Sequence, residues 1–264
     1  MITALISRKG GVGKTTTAVN LSAALAAQGL RVLLVDLDSQ ASASLSLGVD
    51  RADLAPSAAD VLLGGLPVDQ AIRETAVPGL DLITASVDLM KAESEMAVFR
   101  SKEVRLKSAL APVAQRYDFI FLDCPSSLSL LPVSAVVAAD AFIVPVVPQF
   151  LAVTGVKNLI AAAERAAWDT GSRVRPLGLL LTMVDYRTKN TRRTVDELRA
   201  EHGNLIFAIE IRINTRLAEA PGAGQTIFQY DRYAKGAEAY KLLAGEFLLR
   251  ARGGPIEKSL TAGG

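Results

Sequence analysis

The sequence predicts an α/β fold, a doubly wound and mostly parallel sheet with helices on both faces, and three observations carry that expectation. Short β-rich apolar runs alternate with longer Ala/Leu-rich segments. The apolar runs are continuous, as in strands buried on both faces, where a half-solvated sheet would alternate with polar residues. A glycine-rich loop falls between the first strand and the first helix, where a doubly wound sheet binds its ligand.

In chain order, Ile2–Ser7, Arg31–Asp36, Leu80–Thr84, Phe119–Asp123, Ala141–Val147 and Leu177–Val184 read as strands. Lys14–Ala27, Val104–Gln115, Leu151–Trp168 and Thr191–Glu201 read as the helices among them, giving βαβ alternation. Right-handed crossovers put the strand C-termini on one edge. A last helix, about Tyr233 to Arg250, leads into Gly253-Gly254-Pro255. Residues 1–252 read as one domain and 253–264 as a disordered C-terminal tail.

Composition narrows the class. Of the 264 residues, 50% are hydrophobic and 21% charged, too apolar for a disordered chain. Lys plus Arg number 29 against 27 Asp plus Glu, so net charge indicates no partner and only local clusters inform. One cysteine, Cys124, makes no internal disulfide, and with the single His202 it supplies no Cys/His zinc cage. A reducing, cytoplasmic location is expected. Ile2–Ile6 precedes Arg8-Lys9, the reverse of a signal peptide's charge order. The most membrane-like stretch, Val133 to Val156, contains Asp140, Pro145, Pro148 and Gln149, and fits a buried strand between two helices better.

The chemistry begins at Lys9-Gly10-Gly11-Val12-Gly13-Lys14-Thr15-Thr16. Glycines let successive backbone N–H groups converge on phosphate oxygens, and the helix N-terminus adds its positive dipole end. Lys14 neutralises phosphate charge and Thr15 is placed to ligate Mg²⁺, so the segment reads as the phosphate site of a P-loop NTPase fold. Lys9 lies too far before Lys14 to serve the same phosphates from the same side, and has no evident task within its own chain. Two aspartates, Asp38 and Asp123, follow apolar strands at the same edge.

Here the chain resembles the ParA/MinD group of deviant Walker A ATPases, and within it the ParA/Soj partition branch. The resemblance implies that Lys9 reaches a partner subunit's nucleotide, acting as an intersubunit counterpart of an arginine finger. It implies that Asp38, in Val35-Asp36-Leu37-Asp38-Ser39-Gln40, orients the attacking water. It implies that Asp123, in Phe121-Leu122-Asp123-Cys124-Pro125-Ser126, holds Mg²⁺ through water. Leu181-Thr182-Met183, Arg216-Leu217-Ala218-Glu219-Ala220-Pro221 and Tyr230-Asp231 extend the match along the chain. Ser39 and Arg212 stand where the branch usually has Pro, and Pro148-Gln149 replaces a usual acidic residue.

The resemblance further implies weak ATPase activity with ATP and Mg²⁺, an ATP-driven homodimer, non-specific binding of double-stranded DNA, and stimulation by a ParB-like or cargo-borne partner. The cargo would be a chromosome, a plasmid or a protein assembly, and the location bacterial and nucleoid-associated. Arg187, Lys189, Arg192 and Arg193 form a basic run with no acid between them, and Arg187 and Arg216 match positions that bind DNA in Soj-like proteins. No aromatic residues interleave the run, so phosphate contacts without base readout are expected. An iron–sulfur electron carrier is excluded by the single cysteine, and a tyrosine-kinase relative by the lack of a terminal tyrosine cluster. The alternative is a MinD-like membrane-associated ATPase, which would end in a basic amphipathic helix; Gly253 to Gly264 is instead Gly-rich.

Overall fold

The computed structural model describes residues 1–127, 129–149 and 152–253. Eight strands form one sheet: β1 (Ile2–Leu5), β2 (Val32–Asp36), β3 (Ile72–Glu74), β4 (Leu80–Ile83), β5 (Phe119–Asp123), β6 (Ala141–Val146), β7 (Arg175–Val184) and β8 (Ile211–Arg212). Their order is β3-β4-β2-β5-β1-β6-β7-β8, and every neighbouring pair is parallel except β3–β4. The order of winding reverses beside β1, so the crevice outside its carboxyl end is the ligand position for such a sheet.

Continuous apolarity has the expected cause. Successive side chains point to opposite faces, and each central strand feeds two cores. Ala4, Leu33, Val35, Ile120, Leu122, Phe142 and Val144 pack beneath the helices Asp88–Met96, Arg105–Leu110 and Leu130–Ala138. Leu5, Val32, Leu34, Phe119, Phe121 and Ile143 pack beneath Lys14–Ala26 and the last helix, Lys235–Ala251. Asp36 follows Leu34 and Asp123 follows Phe121 by two residues, so both carboxylates point to the second face, toward the helix that begins at Lys14.

Several elements differ from expectation. The helix expected over Val104–Gln115 is regular only from Arg105 to Leu110: Ala111 still donates to Lys107 O, but Pro112 has no N–H to continue the ladder. Strands β3 and β8 are three and two residues long, too short to carry a period. The short helices Ser42–Ser46 and Ala58–Leu62 escaped notice for the same reason. Trp168, near the end of the helix Ala152–Asp169, is 70% exposed. The expected tail beyond Gly253 lies outside the described residues.

The last helix is locked to the sheet by a buried ion pair. Arg250 Nη2 meets Glu246 Oε1 at 2.8 Å, with side chains 4% and 1% exposed. Glu246 accepts from the Ala208 and Ile209 N–H groups at 2.9 and 3.0 Å. Arg250 donates to the Leu177 and Ile206 carbonyls at 3.0 and 2.7 Å and stacks 4.1 Å over Phe207. This satisfied network fixes the approach to β8. Glu246→Ala strands a buried guanidinium and should cost about 3–5 kcal/mol. Urea denaturation measures this, and an unchanged midpoint would refute the clamp.

Candidate functional site

The phosphate loop is a left-handed turn that its glycines make possible. Gly11 and Gly13 adopt φ of 70° and 81°, where an L side chain is strained. Gly13 caps the helix Lys14–Ala26 without a side-chain hydrogen bond, and no acidic residue occupies the first turn. The N–H groups of that turn therefore face the crevice without a resident anion. Ser7 braces the loop from below: its Oγ accepts from Lys9 N at 3.1 Å and donates to Lys9 O at 3.0 Å. From the other side, Thr182 Oγ1 donates to Val12 O at 2.9 Å. Asn20 bridges outward, donating to Thr16 O and accepting from Ile227 N, both at 2.8 Å.

Lys14 is buried, and its Nζ donates to Ser126 Oγ in the segment after β5. Asp36 and Asp123 are register partners on adjacent strands, both 0% exposed. Asp36 is satisfied: it accepts from Ser44 N at 2.9 Å, Ser44 Oγ at 2.8 Å and Asp38 N at 3.1 Å. Burial still pushes its carboxyl up, to about 6. Among the described residues neither oxygen of Asp123 has a partner at hydrogen-bond geometry, and the Thr15 hydroxyl acts on it only as a near neighbour. Burial, then the neighbouring Asp36, pushes the Asp123 carboxyl up to about 8, against the pull of Thr15 and Lys14. A buried carboxylate left unpaired beside a phosphate loop is suited to a cation.

Asp38 stands two residues beyond β2, half-buried, with Oδ1 accepting from Gln40 N at 3.0 Å. The turn is fixed by Ala41, a non-glycine residue at φ 55° whose N–H donates to Asp38 O at 2.7 Å. Lys9 is exposed, but it is not idle within its own chain: Nζ donates to Gln149 Oε1, which corrects the sequence expectation. A mostly apolar cavity of about 580 Å³ opens beside this pair, between Val12, Val144 and Leu159. Lys9 lines it, whereas Lys14, Asp38 and Asp123 do not.

Gly10 to Thr16, Lys14, Asp38 and Asp123 thus gather at the carboxyl edge around β1, β2 and β5. Arg187, Lys189 and Arg216 lie at the far end of that edge, after β7 and β8. Arg187 and Arg192 border a cleft of about 510 Å³ with Arg212, while Arg216 is outside it. The basic run is less free than its sequence implies. Arg187 pairs with Asp185 at 2.7 Å, and Arg193 with Glu197 at 2.7 Å. Arg216 pairs with Glu219 at 2.8 Å and lies 3.6 Å from Asp231.

Sequence reasoning assigned no role to Asp36, Ser126 or Glu93. Glu93 Oε1 accepts from Leu131 N at 2.9 Å, capping the helix that follows Ser126. Only a strand-terminal acid flagged Asp36, and nothing local flagged the other two. Cys124 is buried, and burial pushes its thiol up, away from reactivity.

The carboxyl of Asp123 sets a stability prediction for the nucleotide-free protein in EDTA. An unfolded aspartate loses its proton near 3.8, whereas the folded one holds it to about 8, so native stability falls as pH rises through that window. Asp123→Asn has no such loss. Its melting temperature should exceed wild type by a margin that grows from about pH 4 to about pH 8. A margin that is flat or shrinks would contradict the burial cost.

Comparison with known proteins places this geometry. A family model described as an AAA domain matches residues 1–173. The chromosome-partitioning ATPase Soj of Thermus thermophilus is 42% identical over 249 residues, covering 94% of this chain and 96% of the relative. The chromosome partitioning protein ParA of Caulobacter vibrioides is 39% identical over 253 residues, 95% of each chain. A Mycobacterium smegmatis structure named cobyrinic acid a,c-diamide synthase, with a bound ATP analogue and magnesium, superposes with a TM-score of 0.79 at 33% identity, covering 95% of each chain. Matching sequence along nearly its whole length, and matching fold, the chain belongs to the ParA/Soj family of partition ATPases.

Proposed function

We propose that this protein is an ATP-dependent partition ATPase whose ATP-bound homodimer grips double-stranded DNA without sequence preference and lets go on hydrolysis. The observation that carries the ATPase part is the unpaired, buried Asp123 carboxylate facing an uncapped glycine loop. Lys14 carries the positive charge for the phosphates, and loop N–H groups from Gly10 to Thr16 supply neutral donors. Thr15 and Asp123 hold Mg²⁺, which screens charge between the phosphates. Asp38, tethered through Oδ1 yet half-open to water, orients the attacking water. Partial positive charge from a preorganised loop favours the charge that develops on the transferring phosphoryl group.

Lys9 is the candidate for the intersubunit contact. It is exposed, and its bond to a neutral amide, Gln149, leaves its charge uncompensated. A partner's phosphate offers that ammonium more than an amide does. ATP then favours the dimer through a contact that the monomer lacks. Arg187, Lys189 and Arg216 provide phosphate contacts, doubled in a dimer, and a ParB-like or cargo-borne partner accelerates hydrolysis. Among the described residues no helix is long and apolar enough to cross a membrane. The segment that would carry a MinD-like amphipathic anchor lies outside the described residues.

Two variants separate binding from chemistry. Lys14→Ala should weaken ATP binding at least about tenfold, the worth of a charge-assisted contact. Asp38→Ala should bind ATP yet hydrolyse it about a hundredfold more slowly. Equilibrium titration with a fluorescent nucleotide and a phosphate-release assay read the two effects. Wild-type affinity in Lys14→Ala would remove the phosphate-site assignment.

A second pair separates dimer from DNA. Lys9→Ala should stay monomeric in sedimentation with a non-hydrolysable ATP analogue, and Arg216→Glu should dimerise but lose DNA affinity. Each phosphate contact contributes about −0.9 to the slope of log K against log salt, so losing one contact per subunit should flatten a dimer's slope by about 2. An undiminished dimer in Lys9→Ala, or an unchanged slope in Arg216→Glu, would overturn the respective assignment.

A further inference from the structure

The two arginines assigned to DNA are not waiting empty. Arg187 clasps Asp185 in a fork, with Nε at 2.8 Å from Oδ1 and Nη2 at 2.7 Å from Oδ2. Its side chain is 85% exposed, whereas that of Asp185 is only 23% exposed. The carboxylate is therefore the anchored member of the pair. Arg216 Nη1 donates to Glu219 Oε2 at 2.8 Å, and that oxygen also accepts from Tyr230 Oη at 3.1 Å. A carboxylate and a phosphodiester each offer a guanidinium a pair of acceptor oxygens that it can bridge.

Asp185 follows a strand tied to the phosphate loop, and the tyrosine that holds Glu219 lies on a segment tied to the first helix. Strand β7 is fastened to the phosphate loop by Thr182 and then bends at Met183, a non-glycine residue at φ 49°, which shifts the β7–β8 register just before Asp185. Tyr230 closes a short helix whose first residue, Ile227, donates to Asn20. The carboxyls of Asp185 and Glu219 are held below their usual range by their arginines, so both are ionised at neutral pH. A pair this exposed is weak enough to exchange, because solvent screens it.

From these contacts we infer that Asp185 and Glu219 are built-in competitors for DNA phosphate, occupying Arg187 and Arg216 until a phosphodiester displaces them. The inference rests on the proposed DNA-binding reading of those arginines and adds its regulation. The competitors lower the grip of each subunit, so that a single subunit holds DNA poorly and the doubled face of a dimer is needed. Each contact is then an exchange of one anion for another, which tunes affinity without touching base sequence.

The test uses the full chain and two unrelated fluorescein-labelled 30-base-pair duplexes, read by anisotropy with and without a non-hydrolysable ATP analogue. Asp185→Asn and Glu219→Gln should each bind about threefold tighter per subunit and about tenfold tighter as a dimer. Removing any acid also helps DNA binding through bulk charge, so each is repeated in the background lacking its arginine. The Asp185→Asn gain should vanish with Arg187→Ala, and the Glu219→Gln gain with Arg216→Ala. Gains that persist undiminished in those backgrounds, or no gain in either single variant, would overturn competition. If Arg187→Ala and Arg216→Ala themselves bind as wild type, the DNA reading of the face fails. If they lose affinity while the acid variants gain nothing, that reading stands and only the competition falls.

Discussion

Two aspartates share the end of adjacent parallel strands, Asp36 opposite Asp123, and neither reaches bulk water. Ionising both in that space without a cation is unfavourable, since burial and mutual repulsion act in the same direction. The protein resolves the conflict unequally. Asp36 receives three donors from its own chain, two from Ser44 and one from Asp38. Asp123 receives none at hydrogen-bond geometry from the described residues. One acid thus serves the fold, and the other is left for what binds.

That inequality organises the surroundings. Ser44 bonds both to Asp36 and, through its hydroxyl, to the Ala85 N–H at 3.1 Å, tying the turn that carries Asp38 to the end of β4. Lys14 reaches Ser126 just after Asp123, and Glu93 caps the helix beyond it. A change of charge at the phosphate loop is therefore felt directly by the segment after β5. The loop is also joined to β7 through Thr182 and to Ile227 through Asn20. The first segment leads to Asp185, and the second carries Tyr230, which bonds Glu219, and leads to Asp231, so hydrogen bonds link the phosphate crevice to the basic face.

Much of this was legible in the chain because burial on both faces leaves a plain record: Val32 to Val35 and Phe119 to Leu122 have no polar residue among them. The phosphate loop was legible because glycines, lysine and threonines at that spacing have little other use. The rest was hidden for physical reasons. Residues Ile72–Glu74 and Ile211–Arg212 are too short for periodicity to mark. Asp36 and Asp38 look alike in sequence, and only the fold buries one and leaves the other partly open. The basic run looks free in sequence because its acids lie just outside it, Asp185 before and Glu197 a helical turn after, and Asp231 reaches the separate Arg216 from a later turn.

If Asp123 is kept unpaired for a cation that arrives with nucleotide, thermal denaturation with ADP, in EDTA or in magnesium chloride, will reveal it. ADP alone should raise the wild-type melting temperature, and magnesium should add a second increment, by mass action on the folded state. Asp123→Asn should keep the first increment and lose most of the second. A full magnesium increment in Asp123→Asn would mean that this carboxyl does not hold the cation.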